Sequence, residues 1–177
     1  GNTMIVEDPS QNGHIFVFDN QGNFIRHWNR TGQGDEEYTR NLSMTTTDDK
    51  IYIQDHTRIQ VYDYEGNYIQ SIPNKRDRGT QIEVAGEKIY VRKGYMNENQ
   101  LYVMDESGTV LSEHLPSLEI IRNFMIPLTN YFSMGNYDSG VYISNPLDFN
   151  IYLMKDTIQT LAKLDFGAMH LPADFFD

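Results

Sequence analysis

Apolar and polar residues alternate along short stretches of this chain, and the alternation returns at a nearly constant interval. The clearest run is Lys50-Ile51-Tyr52-Ile53-Gln54-Asp55, a polar loop, then Ile59-Gln60-Val61-Tyr62-Asp63-Tyr64-Glu65-Gly66-Asn67-Tyr68-Ile69-Gln70-Ser71-Ile72. A period of two sends successive side chains to opposite faces of an extended backbone, so the run predicts strand, loop, strand, tight turn, strand. A first copy holds Met4-Ile5-Val6-Glu7 and His14-Ile15-Phe16-Val17-Phe18, turning through Asp19-Asn20-Gln21-Gly22 towards Trp28. A third holds Lys88-Ile89-Tyr90-Val91-Arg92 and Leu101-Tyr102-Val103-Met104, turning through Asp105-Glu106-Ser107-Gly108. The fourth is degenerate: Val141-Tyr142-Ile143-Ser144, Ile151-Tyr152-Leu153-Met154 and 157–164, with Lys155-Asp156 where the glycine turn belongs.

From Asp19 to Asp63 and from Asp63 to Asp105 the turn aspartates lie 44 and 42 residues apart, the length that a four-stranded propeller blade consumes, roughly 40–50 residues. Asp-x-x-Gly suits the corner because the carboxylate accepts from backbone amides and glycine tolerates positive φ. Further strand-like stretches at 42–46, 80–84 and 123–134 supply an innermost strand to copies two, three and four, and the first copy lacks one. The prediction is an all-β, β-propeller domain over 1–177, with repeats at 1–28, 42–72, 80–114 and 123–164 and a tail at 165–177. Helical period is nearly absent; only Leu171-Pro172-Ala173-Asp174-Phe175-Phe176 suggests a short turn or helix.

Composition narrows the class. The 177 residues are 39% hydrophobic and 12% aromatic, enough for a packed core and too apolar for a disordered chain. No apolar run approaches the roughly 20 residues of a membrane-spanning helix. The net charge of −11 and pI near 4.7 argue against nucleic acid, which needs clustered cations to displace counterions. The basic cluster Lys75-Arg76-Asp77-Arg78 is interrupted by an acid and reads as a solvated loop. With no cysteine, disulfides, thiolate nucleophiles and Cys-ligated zinc are excluded.

Arg58-Ile59-Gln60-Val61-Tyr62-Asp63 with Gly66 resembles the core of an NHL repeat. The segment from Trp28 through Arg30-Thr31-Gly32-Gln33-Gly34-Asp35-Glu36-Glu37-Tyr38 is similar to the link between blades in the six-bladed propeller proteins of unknown function abundant in Bacteroidetes, and so are 156–167 and Leu171-Pro172. That resemblance implies a secreted, periplasmic or lipid-anchored envelope protein. Where the group carries Pro-Gly in the link, this chain has Asp35-Glu36. Six blades need well over 177 residues, so the chain is either a segment of a six-bladed ring, the preferred reading, or a compact four-bladed ring. An open segment leaves blade faces uncovered, which predicts self-association or poor solubility.

The five histidines are scattered without metal-binding spacing, and no nucleophile elbow, phosphate loop or dinucleotide fingerprint is present. Asp19-Asn20-Gln21-Gly22-Asn23 lacks the full calcium-loop pattern and reads as a hairpin corner. Function in propellers sits on the loops at one face. The loop after the second strand of a copy offers Asp55, His56 and Arg58, then Arg92 and Tyr95; the link between blades offers Trp28, Arg30, Tyr38 and Arg40. Trp28, Tyr38 and Tyr95 either form an aromatic platform for a sugar or peptide, or Trp28 packs between blades. The leading expectation is a non-enzymatic binding or interaction module for an unidentified glycan, peptide or protein, with no cofactor. The alternatives are a calcium-dependent propeller lactonase or hydrolase, for which Glu7, Asp55 and Glu83 are the available carboxylates, and a scaffold within a larger assembly.

Overall fold

The computed structural model describes residues 3–8, 13–74, 81–93, 98–117, 133–145 and 149–167. Among them fifteen strands form four antiparallel sheets, and no helix is present. Blade 1 is β1 (Thr3–Asp8), β2 (His14–Asp19) and β3 (Phe24–Trp28). Blade 2 is β4 (Ser43–Thr46), β5 (Lys50–Gln54), β6 (Arg58–Asp63) and β7 (Tyr68–Pro73). Blade 3 is β8 (Gln81–Ala85), β9 (Lys88–Arg92), β10 (Asn99–Met104) and β11 (Val110–Pro116). Blade 4 is β12 (Met134–Tyr137), β13 (Gly140–Asn145), β14 (Asn150–Met154) and β15 (Ile158–Lys163). Within each sheet the strands lie in sequence order, as short antiparallel connections require, and the four sheets are the blades of a β-propeller.

The three Asp-x-x-Gly corners are equivalent. Gly22, Gly66 and Gly108 have φ of 84°, 84° and 85°, and each donates its N–H to the carbonyl of the corner aspartate at 3.1 Å. The aspartate carboxylate accepts the backbone N–H of the residue after the glycine: Asn23 and Asn67 at 2.8 Å, Thr109 at 3.0 Å. A bulge precedes each corner, between Val17 and Phe18, Val61 and Tyr62, and Val103 and Met104. Blade 4 departs. Met154 pairs directly with Ile158, so three residues replace the five of the other corners.

The innermost strand of blade 4 also departs from expectation. It begins at Met134, where the sequence pattern has it end, and the residues expected to form it at 123–132 lie outside the described residues. A two-residue turn sets the position. Asp138 and Ser139 both adopt positive φ, 47° and 61°, which joins Tyr137 to Gly140 in register with the twist that tight hairpins favour. The tail at 171–176 also lies outside the described residues.

The core lies between blades. Ile15 and Trp28 of blade 1 meet Ile51, Ile53 and Tyr62 of blade 2; Ile59 and Val61 meet Ile89 and Val91 of blade 3; Leu101 and Val103 meet Val141 and Ile143 of blade 4. Alternate residues of each strand thus serve opposite neighbours, and each fully buried aliphatic contributes about 1.5–3 kcal/mol. At the hub β4 packs beside β8, and β8 beside β12. There the Glu83 carboxylate accepts from Thr45 Oγ1 at 2.8 Å and Asn136 Nδ2 at 3.3 Å, tying three blades together. Burial pushes the Glu83 carboxyl above its ordinary range, against the lowering effect of its hydrogen bonds from Thr45 and Gln81.

Among the described residues no strand packs on the outer faces of blades 1 and 4. Ile51 and Ile53 are fully buried by blade 1, whereas Met4 and Val6 on the far side of blade 1 are 48% and 41% exposed. The same face carries a row of ring contacts through Phe18, Phe24, His27, Phe16 and His14. At the other end Leu161 of the outermost strand is exposed.

Candidate functional site

Residues 29–42 carry the chain from blade 1 to blade 2, and alternate residues of β6 hold them down. Arg58, Gln60 and Tyr62 project from one face of that strand. Arg58 Nη2 donates to the carbonyls of Gly34 at 3.0 Å and Glu37 at 2.8 Å. Gln60 Nε2 donates to Asp35 O at 2.9 Å and Glu37 O at 2.7 Å, and the Tyr62 hydroxyl to Glu36 O at 2.8 Å. The Asp35-Glu36 turn, where the resembled group has Pro-Gly, is therefore fixed through its carbonyls. Inside the link, Gly32 N donates to Tyr38 O and Tyr38 N to Arg30 O, both at 3.0 Å.

A second anchor lies at the end of β5. The buried Asp55 carboxylate accepts from Thr39 N at 3.0 Å, Thr39 Oγ1 at 2.7 Å and His56 N at 2.8 Å. Burial by itself would raise the Asp55 pKa, but these hydrogen bonds to the ionised form outweigh it and hold the carboxyl below its ordinary range.

Beside these anchors a cleft of about 570 Å³ opens, lined by Glu7, Thr31, Gln33, Thr39, Arg40 and Asn41. Gln33, Thr39 and Arg40 are exposed at its rim. Burial raises the Glu7 pKa against the lowering effect of the neighbouring Asn41 side chain. The cleft thus offers a guanidinium, a half-buried carboxyl, two amides and two hydroxyls, a donor and acceptor set suited to a polar ligand. Among the described residues no group of three or more His, Asp or Glu side chains is placed to hold a metal ion.

The residues singled out from sequence fall into three groups. Asp55 and Arg58 lie behind the cleft as anchors, Asp55 through Thr39 and Arg58 through the carbonyls of Gly34 and Glu37, and neither they nor the exposed His56 line it. Arg30 is committed to structure, its Nε donating to Gly66 O at 2.9 Å. Trp28 and Tyr38 are buried in the core between blades 1 and 2, so they present no open aromatic face. The Trp28 ring lies 5.3 Å from that of Tyr62, and the Tyr38 hydroxyl donates to Gly13 O at 2.6 Å, burial pushing its pKa up to about 12. Arg92 belongs to a different joint: buried, it donates to Ser144 O at 3.3 Å and Gln100 Oε1 at 3.4 Å, and burial lowers its pKa to about 10. Tyr95 lies outside the described residues. Sequence reasoning missed Thr39, Asn41 and Gln60; of these only Gln60, a polar residue inside an apolar strand, carries a signal.

Solved structures share this fold. A protein from Bacteroides fragilis NCTC 9343 described as exported superposes with a TM-score of 0.67 at 14% identity, over 90% of this chain and 47% of that one. The computationally designed Ika8 protein gives 0.54 at 14% identity, over 93% and 46%. A protein of unknown function from Bacteroides caccae gives 0.50 at 14% identity, over 92% and 58%. This chain spans about half the length of these structures, and identity so low carries the fold alone. No curated protein matches the sequence. A family model described as Domain of unknown function (DUF4934) matches residues 1–177.

Proposed function

Because the chain belongs to the DUF4934 family over residues 1–177, a domain without an assigned activity, we propose its role from its own surface: a non-enzymatic module that binds a polar ligand, a glycan or peptide, in the cleft beside the link between blades 1 and 2. The observation that carries this reading is the clamp of Arg58, Gln60 and Tyr62 on four consecutive link residues, 34–37. A loop held this firmly presents its rim groups already ordered, which removes part of the entropic cost of binding. Arg40 and Gln33 then read the ligand, with Glu7 accepting at the base.

Within this reading the blades are of the NHL type and belong to a six-bladed ring, as the resemblance carried by Arg58-Ile59-Gln60-Val61-Tyr62-Asp63 with Gly66 and by the link 28–38 implies. An envelope or secreted location is in keeping with the exported Bacteroides fragilis protein of like fold. The test is a glycan and peptide array probed with the intact chain, repeated with Arg40→Ala. A hit that weakens about tenfold in the variant, as loss of a charged hydrogen bond implies, supports the proposal. Silence on the array together with turnover of a lactone or ester would replace it with a hydrolase.

A scaffold role is the second reading, favoured by the open apolar faces of blades 1 and 4. Light scattering on the purified chain tests it: a strict monomer counts against it.

A further inference from the structure

At the end of the strands opposite the link, blades 3 and 4 enclose a groove of about 930 Å³ lined by Tyr90, Lys88, Asn136, Tyr137, Lys155 and Asp156, among others. Tyr90 is only 2% exposed, yet its side chain reaches this cavity, and its hydroxyl has no hydrogen-bond partner among the described residues. A hydroxyl at the wall of an open groove with no internal partner can both donate to and accept from a ligand. The groove between blades 2 and 3 contains the same hydroxyl with its partner in place. Tyr52 stands where Tyr90 stands, opposite Thr45 and Val61 as Tyr90 is opposite Glu83 and Val103. It donates to Glu106 Oε1 at 3.0 Å; Lys50 Nζ reaches the same oxygen at 3.5 Å, and Gln70 Nε2 donates to Oε2 at 3.2 Å.

Glu106 comes from the corner of blade 3. The shortened corner of blade 4 sends Asp156 instead, which pairs with Lys88 at 3.1 Å while its side chain is 98% exposed. An ion pair so exposed contributes little and yields readily to a competitor. The groove therefore repeats Tyr52 and Lys50 as Tyr90 and Lys88, with the exposed Asp156 on Lys88 and, among the described residues, no carboxylate on the Tyr90 hydroxyl. A second ammonium, Lys155, lies beside it, bound to Asp138 Oδ2 at 2.8 Å. Tyr137, 54% exposed, offers its ring on the rim.

We propose that this groove binds an acidic saccharide of the uronate type, its carboxylate seated on the Tyr90 hydroxyl and the Lys88 ammonium as Glu106 is seated one groove earlier, and its ring resting against Tyr137. A pyranose has an apolar face that fits an aromatic ring, and Asn136, Asp138 and Asp156 can receive or share protons with its hydroxyls. Lys88 and Lys155 supply the positive charge for a single carboxylate, while Glu87, Asp138 and Asp156 around the groove, on a chain of net charge −11, repel a polyacidic peptide.

The test is calorimetric titration of the 177-residue protein with galacturonate and glucuronate, with galactose and glucose, and with a hexaglutamate peptide. Saturable binding of a uronate, with its neutral sugar at least about tenfold weaker, is the expected result. Tyr90→Phe, which removes a hydroxyl without an internal partner, weakens binding about tenfold at an unchanged unfolding midpoint. Lys88→Met abolishes it. Asp156→Asn, which frees Lys88, tightens it several-fold, an effect that a merely structural Asp156 would not produce. Equal affinity for the neutral sugar, indifference to Tyr90→Phe and Lys88→Met, or no binding by any sugar overturns the proposal. Tighter binding of hexaglutamate than of uronate makes the groove a peptide site and overturns it too.

Discussion

Gly66→Ala separates two costs that usually arrive together. Gly22 and Gly66 share a φ of 84°, a conformation that costs an L-residue about 1–2 kcal/mol. A Cβ at Gly22 meets nothing within 4 Å, whereas at Gly66 it would lie 2.6 Å from Trp28 Cγ and 2.7 Å from Cδ2. Trp28 must then move out of the joint between blades 1 and 2, and overpacking of this kind adds about 1–3 kcal/mol. The expectation is about 1 kcal/mol for Gly22→Ala and about 3 kcal/mol for Gly66→Ala. Urea unfolding followed by Trp28 emission measures both, with a red shift in folded Gly66→Ala as the indole gains water. In a Trp28→Leu background the Gly66→Ala penalty should shrink to the Gly22→Ala value, because the two positions are coupled only through the ring. Penalties equal within about 0.5 kcal/mol in the wild-type background would refute the steric argument.

Three further expectations concern titration and packing. The Asp55 carboxyl, held below its ordinary range, stabilises the fold fully above the unfolded value of about 3.9 and loses that contribution as pH falls through the lower folded value. Asp55→Asn should flatten the acid limb of stability measured below pH 5, and an unchanged limb would contradict the Thr39 anchor. Glu83 has the opposite sign: its raised folded pKa favours the fold below the unfolded value of about 4.3, and the advantage fades as pH rises through the folded value. Glu83→Gln should therefore equal or exceed the wild type in thermal midpoint at pH 7, and a lower midpoint would show that the hub needs the charge. Ile53→Ala should cost about 2–5 kcal/mol in urea unfolding, against well under 1 kcal/mol for the exposed Val6→Ala; similar costs would mean that blade 1 is not terminal.

The fold class was legible because its determinants are local. Period-two alternation and a five-residue corner with one aspartate and one glycine can be read without knowing what lies across the molecule, and all three corners prove equivalent. The site was less legible because its determinants connect positions more than twenty residues apart, such as Gln60 with the carbonyls of Asp35 and Glu37. Arg30 and Arg58 read in sequence as charges free for a ligand; both instead hold backbone carbonyls, a use that residue type alone does not disclose. Trp28 carried both readings, and its burial between blades 1 and 2, against Tyr62 and Gly66, decides between them. The missing glycine of the fourth corner was visible, but not its effect on a tyrosine one blade away.

A row of blades in which each touches only its neighbours loses strength joint by joint. Blade 1 has three strands where the others have four and, among the described residues, a core shared with blade 2 alone, so warming or urea should peel it away ahead of the rest. The sole tryptophan lies in that seam. Its fluorescence is thus a built-in gauge of the first crack, and should shift before far-ultraviolet dichroism records the melting of the remaining sheets.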